Sequence, residues 1–190
     1  MDEVLQYQER HPIGTKARLA LDPILFTGTR KSDAIRLGKQ HAKRGKFRFT
    51  EHKNRNRAPK RREIPILPIL QATIDDSPCG DLTYLVTEFG KGFTDNGFGN
   101  WFRDRCIEVG VPGRAHGLRK AGATIAASNR ASSHTLMSIF EWDTLKQAEI
   151  YTREADKIRL AEQGMHMIIP CPTFFPSGGT KSRKAKQHQR

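Results

Sequence analysis

His116-Gly117-Leu118-Arg119-Lys120 opens the stretch of sequence that decides the fold, which closes with Glu141-Trp142-Asp143 and then Tyr151-Thr152. Its first part has the spacing of a helix that reaches about residue 128, so His116 and Arg119, three residues apart, lie on one face. Both side chains can therefore point at a single anion. Tyr151 adds a phenol that can attack a phosphodiester held by these cations. Taken by itself, Tyr151 is more typical of a core tyrosine whose hydroxyl is satisfied.

A second basic motif precedes this stretch, at Thr27-Gly28-Thr29-Arg30-Lys31-Ser32-Asp33. Gly28 is a natural helix break, and Thr29 or Ser32 is predicted to cap the short helix that follows. A guanidinium at the start of that helix can fork onto two phosphate oxygens, while the Asp33 carboxylate holds neighbouring groups in position.

Together these motifs resemble the C-terminal catalytic domain of the tyrosine recombinases, the phage integrase family. The pattern Thr-Gly-x-Arg-x-Ser-Asp, then His-x-x-Arg, then a dipeptide before Tyr-Thr stands in the family's order between about Ala17 and Arg159. Trp142 lies at the family's second histidine position, a replacement that some phage and yeast members share. Glu141 stands where the family usually has glycine, and Asp33 where it usually has glutamate.

The resemblance implies cleavage and rejoining of DNA strands through a 3′-phosphotyrosine intermediate, as in recombination and integration of mobile DNA. Arginines would stabilise charge on the pentavalent phosphorus, His116 would accept or relay the phenolic proton, and the indole N–H would support the phosphate. We expect no metal and no cofactor, because the sequence has neither a Walker loop nor metal-ligand spacing. The implied catalytic residues are Arg30, Lys53, His116, Arg119, Trp142 and Tyr151, with Asp33 in support.

Residues 39–66 are predicted to form a small antiparallel sheet. Lys46–Thr50 alternates polar and apolar residues, and Pro65 indicates that the strand on the far side is an edge strand. Residues 52–62 are polar enough to predict an exposed loop. In the family, a lysine near this turn protonates the leaving 5′ oxygen; Lys53 is the predicted residue here, and Lys60 is the alternative. A merely solvated basic loop is the other interpretation.

The charge of the chain favours a nucleic-acid partner. The sequence has 33 Lys+Arg against 20 Asp+Glu, a net charge of +13, which favours nucleic acid over an acidic membrane surface. The resemblance implies double-stranded DNA, self-association as a tetramer on it, and no small-molecule substrate. The residues predicted to contact DNA are Lys31, Arg55, Arg57, Lys60, Arg61, Arg62 and Lys120.

Cysteine usage and hydropathy predict the compartment. Cys79, Cys106 and Cys171 are widely spaced and odd in number, which argues against a disulfide framework or a zinc site. No apolar run reaches the roughly 18 residues of a membrane span, and the first residues have no signal-peptide pattern. We expect a cytoplasmic, nucleoid-associated protein encoded by a bacterium or a phage.

The predicted architecture is mainly α-helical with a small three-stranded antiparallel sheet (α+β), with one catalytic domain over residues 1–162. Pro23 lies inside a nearly all-apolar run from Thr15, which predicts a kink or a later helix start. Trp142 and Tyr151 can face one phosphate only if the helix breaks between them, and Asp143 is predicted to cap a new helix. Residues 163–190, with prolines, glycines and a basic end, are predicted to be flexible.

Two departures from the family leave other functions open. The N-terminal clamp domain that family members carry has no room in this chain, so we expect weak, salt-sensitive DNA binding. Glu141 and Trp142 favour the alternative of a DNA-binding remnant whose catalysis has lapsed. A type IB topoisomerase-like activity, which uses the same tyrosine chemistry, is the second alternative.

Overall fold

Eight α-helices and a three-stranded sheet make up the computed structural model, which describes residues 2–53 and 55–169 of the 190-residue chain. The helices are α1 (Asp2–Arg10), α2 (Lys16–Thr27), α3 (Lys31–Ala34), α4 (Pro68–Asp76), α5 (Asp95–Ile107), α6 (Ala115–Ser128), α7 (Ser133–Phe140) and α8 (Leu145–Gly164). The strands are β1 (Ala42–Lys43), β2 (Lys46–Thr50) and β3 (Arg61–Pro65). The predicted fold class, mainly helical with a small antiparallel sheet, is confirmed.

The chain divides into two compact units, Met1–Asp156 and Lys157–Arg190. The first contains the sheet and α1 to α7, together with the first part of α8. In the second, which is described to residue 169, the helix continues to Gly164 and a 3-10 helix follows at Met165–Ile168. The flexible segment predicted for residues 163–190 lies, from residue 170 onward, outside the described residues. Within the described part, no helix has the length and apolarity needed to cross a membrane.

Helix α2 forms the centre of the core. Thr15 caps it, with the Arg18 amide donating to Thr15 Oγ1 at 3.2 Å, and the helix then runs through Pro23 without a later start. The helix is buried nearly all round, as its apolar sequence predicts. Its charged residues pair inside the core, where Arg18 Nε donates to Asp22 at 2.9 Å and Thr73 Oγ1 donates to the same carboxylate at 2.6 Å.

The sheet has the order β1-β2-β3 with both pairings antiparallel, so β3 is an edge strand, as Pro65 predicts. Phe47 pairs with Ile64 and Phe49 with Arg62. The alternation of β3 places Arg62 and Ile64 on the buried face and Arg61 and Glu63 on the exposed one. The loop between β2 and β3 carries most of the exposed cations of the 52–62 stretch.

The short helix α3 begins differently from the prediction. Arg30 itself occupies the N-cap position, in an extended conformation and without a side-chain cap hydrogen bond. Thr29, one of the two predicted caps, is buried and shares a 3.0 Å hydrogen bond with Thr27 Oγ1. The prediction of Thr29 or Ser32 as the cap is therefore wrong, and the guanidinium of Arg30 stands directly at the helix start.

The break predicted between Trp142 and Tyr151 is confirmed. Helix α7 ends at Phe140, Glu141 follows in the left-handed conformation, and α8 begins at Leu145. The Trp142 amide donates to Met137 O at 3.2 Å, which completes the end of α7. Helix α8 starts one residue later than the start predicted with Asp143 as its cap, and the Asp143 carboxylate accepts a hydrogen bond from Lys60 Nζ.

Two glycines allow α2 to approach its neighbouring helices closely. A Cβ atom at Gly122 would lie 2.6 Å from Leu25 O, so α6 approaches the backbone of α2 only because the residue is glycine. Gly28 ends α2 with φ +61, and a Cβ there would lie 2.6 Å from the Phe140 ring. The end of α2 and the end of α7 therefore meet at Gly28 and Phe140.

We predict that Gly28→Ala lowers the free energy of unfolding by roughly 2–5 kcal/mol, since a left-handed alanine costs about 1–2 kcal/mol and overpacking about 1–3 kcal/mol. Urea denaturation followed by far-UV circular dichroism measures the change. The matched control is Gly45→Ala, which has φ +71 but no atom within 4 Å of the added Cβ. Its expected cost is about 1 kcal/mol; equal losses in the two variants would show that the Phe140 contact contributes nothing.

Candidate active site

Arg119 is held in place by two backbone carbonyls. It lies half-buried on α6, one terminal nitrogen donates to Gly28 O, and the other donates to Phe140 O. Its guanidinium carbon also lies 5.5 Å from the centre of the Phe140 ring. Burial, with help from the Arg30 and Arg62 cations, lowers the pKa of Arg119 to about 10. The group stays charged at neutral pH and its orientation is fixed by the ends of α2 and α7.

Arg30 contacts a buried carboxylate beside Arg119. Its Nη1 donates to Oε2 of Glu51, a residue that follows β2 and is only 2% exposed. The neighbouring Asp33 is also buried and accepts the His52 amide at 2.7 Å. Burial raises the pKa of the Asp33 carboxyl, and the His52 hydrogen bond opposes that rise. Three cations, Arg30, Arg62 and Arg119, thus share two carboxylates.

Tyr151 lies in a stack of three aromatic rings. Its ring is 5.2 Å from that of Trp142 with an interplanar angle of 10°, and Trp142 is 4.9 Å from Phe140 with an angle of 20°. The next residue, Thr152, is buried and exchanges a 2.8 Å hydrogen bond with Ser133, which fixes this turn of α8 against α7. Burial raises the pKa of the Tyr151 phenol, and the Arg119 cation opposes that rise.

These observations join residues from separate motifs into one place. Phe140 contacts both Arg119 and Trp142, and Trp142 in turn contacts Tyr151, so one chain of contacts joins the guanidinium group to the phenol. The structure thereby brings together Arg30, Arg119, Trp142 and Tyr151, which are distant in sequence.

No family model and no curated protein sequence matches the chain. Solved structures match it closely in shape, although they share little sequence. XerA recombinase superposes with a TM-score of 0.68 at 18% identity, over 90% of this chain and 63% of that one. The chain has the fold of the tyrosine recombinase catalytic domain.

Two further solved structures share the recombinase fold and show how much of each chain it covers. A XerH site-specific recombinase bound to palindromic difH substrate gives a TM-score of 0.64 at 19% identity, over 86% of this chain and 51% of that one. The lambda integrase catalytic core gives 0.58 at 16% identity, over 75% of this chain and 90% of the core. The chain therefore spans about half to two thirds of the XerH and XerA chains, and nearly all of the isolated core.

His116 lies three residues before Arg119 on α6, at the start of that helix. It is exposed at the first turn of α6 and lines a hollow between the starts of α5 and α6, here named the α5–α6 hollow. Lys31 reaches this hollow as well, and its Nζ donates to Asp95 O at 2.8 Å. The other residues that line the hollow are Asn96, Gly99, Asn100, Arg103, Arg114 and Ala115.

The two candidate lysines differ in their surroundings. Lys53 is exposed in the β2–β3 loop, and Lys60, at the far end of that loop, contacts the Asp143 carboxylate. The hydrogen bond from Lys60 lowers the pKa of Asp143. Asp143 follows Trp142 directly, so this contact joins Lys60 to the residue next to the aromatic stack.

Most of the predicted DNA-contacting cations lie at the surface, but Arg62 does not. Arg62 lies in β3 and is 2% exposed, so the prediction that it lies on an exposed loop is wrong. The period-2 pattern with Ile64 gave the signal that Arg62 faces inward. Lys31 and Lys60 are partly exposed, and the exposed members of the set are Arg55, Arg57, Arg61 and Lys120.

Sequence reasoning missed the contacts that three residues make in the site: Glu51, Phe140 and Asp143. Each acts through a partner distant in sequence, namely Arg30, Arg119 and Lys60, so no local spacing marks it. Among the side chains of residues 2–53 and 55–169 that the structure describes, no group of His, Cys, Asp and Glu is arranged to hold a metal ion.

Glu141 stands at a position whose backbone favours glycine. Its φ of +50 and ψ of +47 are left-handed, which explains why the resemblance places glycine there. Its carboxylate also interacts electrostatically with Arg62 and raises the pKa of that arginine against the effect of burial.

We predict that Glu141→Gly raises the free energy of unfolding by roughly 0.5–1 kcal/mol, because glycine adopts the left-handed conformation without a Cβ penalty. Denaturant unfolding measures the gain. Glu141→Ala is the control, since it removes the same charge and keeps the backbone strain. An equal gain in both variants would assign the effect to the charge rather than to the backbone.

Proposed function

We propose that this chain breaks and rejoins DNA strands, with Tyr151 as the nucleophile and a 3′-phosphotyrosine as the intermediate. The observation that carries the proposal is the Phe140 ring, which contacts both Arg119 and Trp142, the residue on which Tyr151 stacks. A phenol beside fixed guanidinium groups is the arrangement that attack on a phosphodiester requires. The recombinase fold of the chain supports the same reaction.

The proposed step is a transesterification, in which one phosphoester bond replaces another. The Tyr151 oxygen forms a bond to phosphorus while the bond from phosphorus to the 5′ oxygen breaks, so the bond energy is kept for rejoining. Arg30 and Arg119 face the negative charge that grows on the non-bridging oxygens. Because two carbonyls already orient Arg119, little reorganisation is needed when the phosphate arrives.

Two protons must move in this step. The pKa of Tyr151 is raised by burial, so the phenol is protonated at neutral pH and needs an acceptor. His116, exposed on the same helix as Arg119, is the proposed acceptor or relay. A lysine of the β2–β3 loop would give a proton to the leaving 5′ oxygen. The contact with Asp143 favours Lys60, and Lys53 is the other candidate.

The proposed partner is double-stranded DNA, bound through its backbone. The net charge of +13 and the exposed cations Arg55, Arg57, Arg61 and Lys120 suit a phosphate surface. Structurally similar recombinases include XerH bound to difH substrate and a lambda integrase dimer bound to a COC' core site, which supports this partner. Self-association on DNA is part of the proposal, as site-specific recombination needs paired sites.

We predict that wild type forms a covalent protein–DNA adduct and that Tyr151→Phe forms none, because phenylalanine lacks the attacking oxygen. The substrate is a pool of duplexes, each nicked just downstream of a candidate scissile phosphate, so that the short 5′-hydroxyl strand diffuses away and the adduct accumulates. A denaturing gel reports the adduct.

Tyr84→Phe is the matched control, since Tyr84 is a buried tyrosine outside the site and its variant should keep the adduct. An adduct that persists in Tyr151→Phe would contradict the assignment of the nucleophile. No adduct in wild type, with salt-dependent DNA binding intact, would instead favour the DNA-binding alternative. Relaxation of supercoiled plasmid without site preference would favour topoisomerase-like activity.

We predict that Arg119→Lys lowers the single-turnover rate of adduct formation by roughly 10²–10³-fold at saturating DNA, the typical cost of losing one preorganised donor. Lysine keeps the charge but cannot contact Gly28 O and Phe140 O with one planar fork. Arg10→Met, at the exposed end of α1, removes one cation outside the site and serves as the control. A rate within a few-fold of wild type would remove Arg119 from the proposed mechanism.

A further inference from the structure

Arg62 is a fully buried cation that faces the core rather than DNA. It is 2% exposed, and its Nη2 donates to Thr27 O at 3.3 Å and to Ile139 O. Its guanidinium carbon also lies 5.8 Å from the centre of the Phe49 ring. A side chain in this position cannot reach a DNA phosphate without leaving the core.

The contacts of Arg62 lie next to those of Arg119 along both helices. Arg62 joins Thr27 O to Ile139 O, and Arg119 joins the following carbonyls, Gly28 O and Phe140 O. All four oxygens belong to the ends of α2 and α7, where helical carbonyls have no partner in their own helix. Two guanidinium groups from different elements thus fix the end of α7 against the end of α2.

The segment that follows the end of α7 carries Trp142 and Tyr151 of the aromatic stack. Trp142 comes two residues after Phe140, and Tyr151 stacks on Trp142. Movement of the end of α7 would therefore displace the indole and the phenol together, with Arg119 losing one of its two carbonyls.

Arg62 is also connected to the other arginine of the site. Its Nη1 lies 3.8 Å from Oε1 of Glu51, and Oε2 of the same carboxylate contacts Arg30. Glu51 is 2% exposed, so its charge depends on these two cations for compensation. Removing Arg62 would change how strongly Glu51 holds Arg30.

We infer that Arg62 is a positioning residue for the proposed DNA cleavage, acting through the end of α7 on Trp142 and Tyr151 and through Glu51 on Arg30. This inference rests on the proposed function only for its kinetic consequence. Its structural consequence, the placement of Trp142 by Arg62, is independent of any reaction.

The first measurement isolates the indole of Trp142. The chain has two tryptophans, so a Trp101→Phe background leaves Trp142 as the single reporter. Arg62→Lys and Arg62→Met are compared with that background by fluorescence and acrylamide quenching, with far-UV circular dichroism as the measure of folding. We expect a changed emission and greater quenching of Trp142 in both variants while the helical signal is kept.

The second measurement separates rate from binding. For Arg62→Lys and Arg62→Met we expect the rate of adduct formation at saturating DNA to fall about ten- to hundred-fold, the effect of a misplacement near 1 Å. The Kd for DNA and its dependence on salt should stay as in wild type. Arg61→Met is the matched control on the exposed face of β3, and it should weaken binding and reduce the salt slope by about one.

Each outcome decides the inference. Unchanged Trp142 fluorescence, or a reduced salt slope in the Arg62 variants, would overturn it, because Arg62 would then act as a DNA contact or not at all. If Arg62→Met does not fold, Arg62→Lys and the double variant Arg62→Met with Glu51→Gln, which removes both buried charges, take its place. If wild type forms no adduct, the proposed function fails, and the fluorescence still decides whether Arg62 positions Trp142.

Discussion

The rest of the site depends on four backbone carbonyls at the ends of two helices. The oxygens of residues 27 and 28 at the end of α2, and of 139 and 140 at the end of α7, accept from Arg62 and Arg119. Helix ends buried without partners are costly, and the two guanidinium groups supply the missing donors. The contact between the ends of α2 and α7 therefore positions residues from both helices, since Arg30 follows α2 and Trp142 follows α7.

The same contact between α2 and α7 brings positive charges close together inside the protein. Arg30, Arg62 and Arg119 share Glu51 and Asp33, and burial lowers the pKa of both Arg62 and Arg119. Glu141 adds a third carboxylate, which interacts with Arg62. A phosphate bound by Arg30 and Arg119, the ligand that we propose, would add further negative charge to this cluster.

Much of the architecture could be predicted from local sequence. The helices α5, α6 and α7, the edge position of Pro65 and the break before α8 all follow from periodicity, caps and proline chemistry, which act over a few residues. The gathering of Arg30, Arg119, Trp142 and Tyr151 was predicted by family resemblance, and chain spacing alone could not have shown it. The N-cap of α3 was missed because Thr29 turned inward to Thr27.

The sequence by itself determined that His116 and Arg119 share a helix, that Tyr151 lies on a new helix that begins after Trp142, and that the chain is strongly basic. Only the tertiary structure decided that Arg62 is buried, that Glu51 holds Arg30 and that Lys60 contacts Asp143. The physical reason is the separation in sequence over which each kind of interaction acts. Periodicity and capping are set by neighbours within a few residues, whereas the burial of a charge depends on which distant carbonyls and carboxylates the packed helices bring to it.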